Sequence, residues 1–405
     1  MSEHVVIIGA GQGGLQVAAS LRQDGFAGRI TLIGDEPGLP YQRPPLSKGY
    51  MADGDASRLA LKPQGFFDTE GVDYRPETPV ARIDLAAGQV QLAGGETLDF
   101  DRLVLATGAR NILPPLPGIE LPGVHLLRGL ADAAALRAAM AGARRAAVIG
   151  GGFIGLEFAA VAAAAGVEVT VIEAADRLMS RAVTPPTSAR FLDFHRGAGV
   201  EVRLGALGAA ILGDARATGV ALADGSTIPA DLVLVAVGVR PNVELAQDAG
   251  LAVADGITVD GHLRSSDPRV FTIGDCANFP LEGRRVRLES VQAAADHARH
   301  VARTIAGQEQ PPYDALPWFW SDQGPLKLQI AGLSAGWDAT HALQDATGAT
   351  DTVLAFREDR LIAVETINQA GRHMAARRLL AQPDGIGRDT LAAHDYDLRA
   401  ALSAR

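Results

Sequence analysis

Two groups of glycines carry the chemistry that can be read most directly from this chain. The first is Gly9-Ala10-Gly11-Gln12-Gly13-Gly14 and the second is Gly150-Gly151-Gly152-Phe153-Ile154-Gly155. Both fit G-x-G-x-x-G, the spacing that lets a backbone loop hold the pyrophosphate of a dinucleotide. In that pattern the first glycine permits a tight turn and the second lets the main chain approach the phosphates. The third allows a helix to pack against a strand, and the helix N-terminus offers N–H groups and the positive end of its dipole. A little over twenty residues beyond each loop start stands an acid suited to a ribose hydroxyl. These acids are Asp35, with Glu36 in reserve, and Glu173.

Such loops need particular elements to hold them. Val5-Val6-Ile7-Ile8 is a short apolar run of β-branched residues and predicts a buried parallel strand. Helical periodicity follows over 15–23, then a second strand over 30–33. The same order returns as a strand over 146–149, an alanine-rich helix over about 156–165 and a strand over 169–172. The two loops start 141 residues apart, an internal repeat that implies two nucleotide domains of similar design. Further apolar runs end in glycine at Ala106-Thr107-Gly108 and at Gly238, and the run over 270–273 ends in Gly274-Asp275.

Composition bounds the function. With 405 residues, 47% apolar and 21% charged, the chain can build a large core in two or three domains. A net charge of −10 argues against non-specific nucleic-acid binding. Cys276 is the single cysteine, which excludes an internal disulfide, a cysteine-ligated cluster and a CxxC pair. The longest apolar stretch, 158–167, lies between Glu157 and Glu168 and is too short for a membrane span. Met1-Ser2-Glu3-His4 lacks the basic start of a secretory leader. A soluble, cytoplasmic protein is expected, with no metal: His297-x-x-His300 is a spacing that helices produce by chance.

Several longer strings narrow the field. They are Tyr41-Gln42-Arg43-Pro44-Pro45-Leu46-Ser47-Lys48, Ile273-Gly274-Asp275-Cys276-Ala277, Glu289-Ser290-Val291 and Pro317-Trp318-Phe319-Trp320-Ser321-Asp322-Gln323. Together with the two loops they resemble the two-dinucleotide-binding flavoproteins that include glutathione reductase-like enzymes. Within that family they are similar to the NADH-dependent ferredoxin reductases of bacterial cytochrome P450 and ring-hydroxylating dioxygenase systems. The resemblance spans 9–323 and implies an α/β fold of two Rossmann-like dinucleotide-binding domains plus a C-terminal α/β domain. An FAD domain would comprise 1–109 and 242–309, an NADH domain 110–241 and the last domain 310–405. Within the last, a hairpin is expected over 352–365 and a helix over 371–382.

The same resemblance distributes the site. FAD would take Gly9, Gly11, Gly13, Gly14 and Asp35, and Val80, Ala106, Thr107, Gly108 and Arg128 are further expected cofactor-binding residues. Asp275, at a helix N-terminus, would accept from the ribityl chain, and Val291 would meet the pyrimidine edge. A helix starting near Val291 would point its positive end at reduced flavin. Lys48 would lie beside the isoalloxazine, paired with Glu157, and Trp320 would pack by the flavin on the ferredoxin side. NADH would take Gly150, Gly152, Ile154, Gly155, Glu157, Glu173 and Gly238. Glu173 accepts from a free 2′-OH and repels a 2′-phosphate, and with Arg177 the next basic residue the pattern favours NADH over NADPH.

Hydride transfer to a flavin needs alignment more than acid–base residues, so no general base is named. The implied partner is a [2Fe–2S] ferredoxin, docking on Arg299, Lys327, Arg372, Arg377 and Arg378, with the chain a monomer or weak dimer. Relatives that work through a protein thiol need cysteine near position 42, and Tyr41-Gln42-Arg43-Pro44 has none. The alternatives left open are an NADH oxidase or rubredoxin reductase, and a redox-sensing flavoprotein that signals by a change of shape.

Overall fold

The computed structural model describes residues 3–404; Met1 and Ser2, which open the stretch read for a leader, lie outside the described residues. The chain divides into two compact units. One comprises the segment up to Gln42, Ala56–Arg110 and Val239–Ala315. The other comprises Arg43–Asp55, Asn111–Gly238 and the segment from Leu316 onward.

The first unit is built on a parallel five-stranded sheet in the order Val270–Thr272, Arg102–Leu105, His4–Ile8, Arg29–Ile33, Val72–Arg75. His4–Ile8 lies in the middle and every residue of it is buried, which explains the unbroken apolar run over Val5–Ile8. The chain leaves this strand through the first glycine loop into the helix Gln12–Gln23. The sheet's next strands lie on opposite sides of His4–Ile8, so the loop emerges at a topological switch point, where open α/β sheets bind ligands.

The second unit repeats the plan. Its parallel sheet runs Glu201–Leu204, Glu168–Glu173, Arg145–Ile149, Leu232–Val235, Val124–His125, again with the loop-bearing strand in the middle. The helix Phe153–Ala164 follows the second glycine loop. Each unit also carries an antiparallel three-stranded sheet: Val80–Asp84, Gln89–Leu92 and Thr97–Asp99 in the first, Gly208–Leu212, Gly219–Leu222 and Thr227–Pro229 in the second. The repeat therefore extends beyond the glycine loops. These small sheets left little mark in the sequence because their strands are only 3–5 residues long.

From Trp318 the chain forms an antiparallel five-stranded sheet in the order Trp318–Gln323, Leu326–Gly332, Arg360–Ile367, Thr350–Arg357, Ala339–Gln344. It has a core of its own that includes Leu354, Phe356, Val364, Ala376 and Leu379, the last two from the helix Ala370–Leu380. The expected hairpin turns at Glu358 and Asp359, whose φ values are 50° and 59°. Among the described residues no helix is long and apolar enough to cross a membrane.

Candidate functional site

The two glycine loops are built alike. Gly9 and Gly150 adopt φ of +107° and +111°, and a Cβ at either would lie 2.2 Å from Ala106 O or 2.4 Å from Ala236 O. A Cβ on Gly14 or Gly155 would strike the carbonyl oxygen of the loop's own first glycine, at 1.9 and 2.3 Å. These four positions are glycine because the protein fills the space. At the middle glycines, Gly11 and Gly152, an added Cβ meets nothing within 4 Å. There the backbone is bare and the space in front of it open, as close approach of a pyrophosphate requires. Gly13 differs: its Cβ direction faces Ile273 and Ala294 O, so its smallness serves packing.

The strand-end acids follow a steric rule that links two positions in each loop. In the second unit Glu173 ends its strand facing Gly151, and its carboxylate accepts from Gly151 N at 2.6 Å and from Ala175 N at 2.7 Å. In the first unit the corresponding residues are Ala10 and Gly34, and a Cβ on Gly34 would lie 2.8 Å from that of Ala10. Either the loop residue or the strand residue must be small. Because Ala10 occupies the space, the acid in the first unit is displaced beyond Gly34. Asp35 there is exposed, whereas Glu36 is half-buried and accepts a hydrogen bond from Tyr41 Oη.

Arg177 is committed elsewhere. Its guanidinium donates to Ser180 O at 2.5 Å and Val183 O at 2.7 Å. Ile154, on the first turn of the helix after the second loop, is 41% exposed. Gly238 lies after the neighbouring strand at φ +115°.

In the first unit, Thr107 donates to Asn242 O at 2.7 Å while Asn242 Nδ2 donates to Thr107 O at 2.8 Å, which ties the Ala106-Thr107-Gly108 turn to the chain's return. Val80 begins its strand half-buried. Asp275 lies in a single 3₁₀ turn, Gly274–Cys276, followed at once by the strand Ala277–Leu281. The expectation that it stands at a helix N-terminus is therefore corrected: one turn, opened by Gly274 at φ +67°, leads back into a sheet. The helix expected near Val291 is present as Val291–Ile305, capped by Ser290 Oγ, which accepts from Ala293 N at 3.0 Å. Cys276 is fully buried in this unit's core, and burial raises its thiol pKa, so it is a packing residue.

The second unit brings parts of two of the longer strings, 43–48 and 317–323, together. Glu157, on the helix after the second loop, is 2% exposed and accepts from three donors. These are Lys48 Nζ at 2.9 Å, Ser47 Oγ at 2.5 Å and Ser321 Oγ at 2.7 Å. Ser321 and Ser47 were not singled out from sequence, although both lie in the quoted strings. Gln323 Nε2 donates to Ser321 Oγ at 3.3 Å, and Gln323 Oε1 lies 2.9 Å from His195 Nε2, so the buried network continues inward. Arg128, also in this unit, receives a bond from Arg43 at its carbonyl and donates its N–H to Asp132.

Trp320 and Trp318 are half-buried neighbours on one strand, their ring centroids 5.6 Å apart, and Arg377 lies over the Trp318 ring at 4.7 Å. Arg378 and Lys327 are exposed. Arg372 is bound to Asp351 at 2.6 Å, and Arg299, in the first unit, to Asp296 at 2.7 Å. Among the described residues no group of three or more His, Cys, Asp or Glu side chains could hold a metal.

Two loop-bearing sheets of one design, each with open space before its middle glycine, define a protein that holds two dinucleotides. The chain belongs to the pyridine nucleotide-disulphide oxidoreductase family, whose model matches residues 3–298, and a reductase C-terminal model matches 318–402. It is 46% identical to rhodocoxin reductase of Rhodococcus erythropolis over 404 residues, covering 98% of this chain and 94% of that protein. Among solved structures it is similar to the ferredoxin reductase for the CYP199A2 system of Rhodopseudomonas palustris. That match has a TM-score of 0.95 and 44% identity over 99% of this chain and 100% of the other. The reductase in a covalent putidaredoxin reductase–putidaredoxin complex matches with a TM-score of 0.94 and 36% identity, covering 99% and 98%. The family uses FAD and NAD(H), and the residues around both loops suit those groups.

Proposed function

We propose that the chain is an FAD-dependent NADH:ferredoxin oxidoreductase that feeds a cytochrome P450 or ring-hydroxylating oxygenase through a [2Fe–2S] ferredoxin. The observation that carries this is the pairing of two dinucleotide cradles with a single, fully buried cysteine. The chain has no pair of thiols to store electrons, so the electrons leave to an external carrier. FAD, which the first loop Gly9–Gly14 and Asp275 would hold, would supply two-electron acceptance from NADH and one-electron release to the carrier.

The protein's own residues bind and orient. The first loop takes FAD and the second NADH. Glu173, held by two backbone N–H groups, offers its remaining lone pairs to the adenosine ribose and excludes a 2′-phosphate. The commitment of Arg177 to two carbonyls supports the same choice, since its guanidinium is already held. In the first unit Glu36, fixed by Tyr41, is better supported as the ribose acid than the exposed Asp35. Lys48, which the family resemblance assigns to the isoalloxazine, has its charge fixed by Glu157. Exposed Lys327 and Arg378, with half-buried Arg377, would meet an acidic ferredoxin, and steering of that kind acts through local fields despite a net charge of −10. A cytoplasmic location accords with the need for NADH.

The test is anaerobic NADH consumption by the purified holoprotein, with and without a [2Fe–2S] ferredoxin from the same source. Catalytic bleaching of the ferredoxin with NADH, and little with NADPH, is the expected result. A flavin that reduces once and then stalls with ferredoxin present would overturn the proposal in favour of another acceptor or a sensing role.

A further inference from the structure

The sheet ladder beside the first loop ends abruptly. Ile273 N donates to Leu105 O at 3.0 Å, the last bond of the strand, and the next N–H belongs to Gly274. Gly274 is buried at φ +67° and opens the turn that carries Asp275. An N–H at such a place needs an acceptor, and the sheet offers none. Instead, Nδ1 of His297 takes it, at 3.2 Å, from the helix Val291–Ile305.

We propose that His297 is a positioning residue for FAD: by accepting from Gly274 N it fixes the turn that presents Asp275 to the cofactor. This rests on the flavoprotein assignment above. Three observations support it. First, His297 is fully buried, and its ring is gripped edge-to-face by Phe279 and Tyr313, with centroids 4.6 and 4.5 Å away, so it cannot swing off the bond. Second, burial and the neighbouring His300 lower its pKa to about 3, so the ring stays neutral and able to accept at any working pH. Third, Gly13 packs on Ile273 and Ala294, so the turn abuts the first helical turn after the FAD loop, and displacing it disturbs both contacts.

The experiment compares His297→Phe, which keeps the ring volume and removes the acceptor, with His297→Gln, whose carbonyl oxygen can replace it. FAD is removed, the melting temperature of each apoprotein is recorded, and FAD is titrated back while its fluorescence is followed. His297→Phe should raise the FAD Kd about tenfold, because the freed turn must then be ordered at the expense of FAD binding, and His297→Gln should stay within about threefold of the native protein. If His297→Phe unfolds the apoprotein, His297→Leu takes its place under the same thresholds. Tight FAD binding by the acceptor-less variant overturns the proposal, as does equal weakening by Gln and Phe in apoproteins of native melting temperature. A native chain that binds no FAD overturns the flavoprotein assignment along with it.

Discussion

Lys48 Nζ lies 2.9 Å from Glu157 Oε1, joining a residue from a short loop segment to one on the helix after the second nucleotide loop. The two ends of this pair are not equivalent. The Glu157 side chain is 2% exposed, and the Lys48 side chain keeps 20% exposure and a second bond to Pro44 O. Removing Lys48 strands a buried carboxylate with two hydroxyl donors, whereas removing the carboxylate leaves an ammonium that can still reach water.

Lys48→Met should therefore cost about 2–4 kcal/mol of unfolding free energy and Glu157→Gln about 1 kcal/mol. Urea denaturation of both variants and of the double variant checks this. Equal costs for the two single variants would show that the pair is screened like a surface ion pair.

Glycine substitutions should separate folding from binding. Gly150→Ala places a methyl 2.4 Å from Ala236 O at a positive φ, and it should destabilise the chain by several kcal/mol. Gly152→Ala meets no protein atom and should melt within about 2 °C of the native protein while losing tenfold or more in NADH affinity. Calorimetry and an NADH titration decide it, and unimpaired NADH binding by Gly152→Ala would refute the assignment of that space to phosphate.

Coenzyme choice should follow Glu173. Glu173→Ala removes both the ribose acceptor and the negative charge, so NADH kcat/KM should fall about tenfold or more and NADPH should become competitive. Because Arg177 is held by the carbonyls of Ser180 and Val183, strong NADPH use should require a second, newly placed arginine. Steady-state kinetics with both coenzymes test this; a variant that keeps native discrimination would move the determinant elsewhere.

Acid should destabilise the protein before its carboxylates titrate. Burial and a nearby arginine, Arg377, lower the pKa of His373 to about 4, and that of His297 lies at about 3, both below the 6.5 of a free histidine. The folded chain keeps these rings neutral while the unfolded chain protonates them. Stability is thus fully present above about pH 6.5 and falls as pH drops towards 4, by up to about 1.4 kcal/mol per pH unit for each ring. Replacing His373, whose two ring nitrogens make no hydrogen bond among the described residues, with Leu should flatten that slope.

Glu365 works with the opposite sign. Its carboxyl accepts from Thr184 N and Thr184 Oγ1 at 2.8 and 2.7 Å, yet burial raises its pKa, so the folded chain takes up that proton first on acidification. Stability it withholds at high pH returns as pH falls through its folded pKa towards 4.5. Glu365→Gln should steepen the acid-side loss, measured by urea denaturation from pH 7 to 5. An unchanged slope would show that this carboxyl stays ionised throughout.

The sequence by itself determined the repeat and the loops. A strand buried on both faces must be continuously apolar, and a backbone that turns tightly and then approaches a phosphate must be glycine, so both leave marks over a few adjacent residues. The strand over 5–8, its counterpart over 146–149 and the glycines of the two loops were legible for that reason. Only the tertiary structure decided which glycine serves packing and which leaves space. Only it explained why glycine stands at position 34: Ala10, 24 residues away, already fills the volume a side chain there would need. It also brought Ser47, Lys48, Glu157 and Ser321 together and set His297 under Gly274. Hydrogen bonds between side chains far apart in the chain have no periodicity and no fixed spacing, and burial that selects one partner among many exists only once the elements have packed.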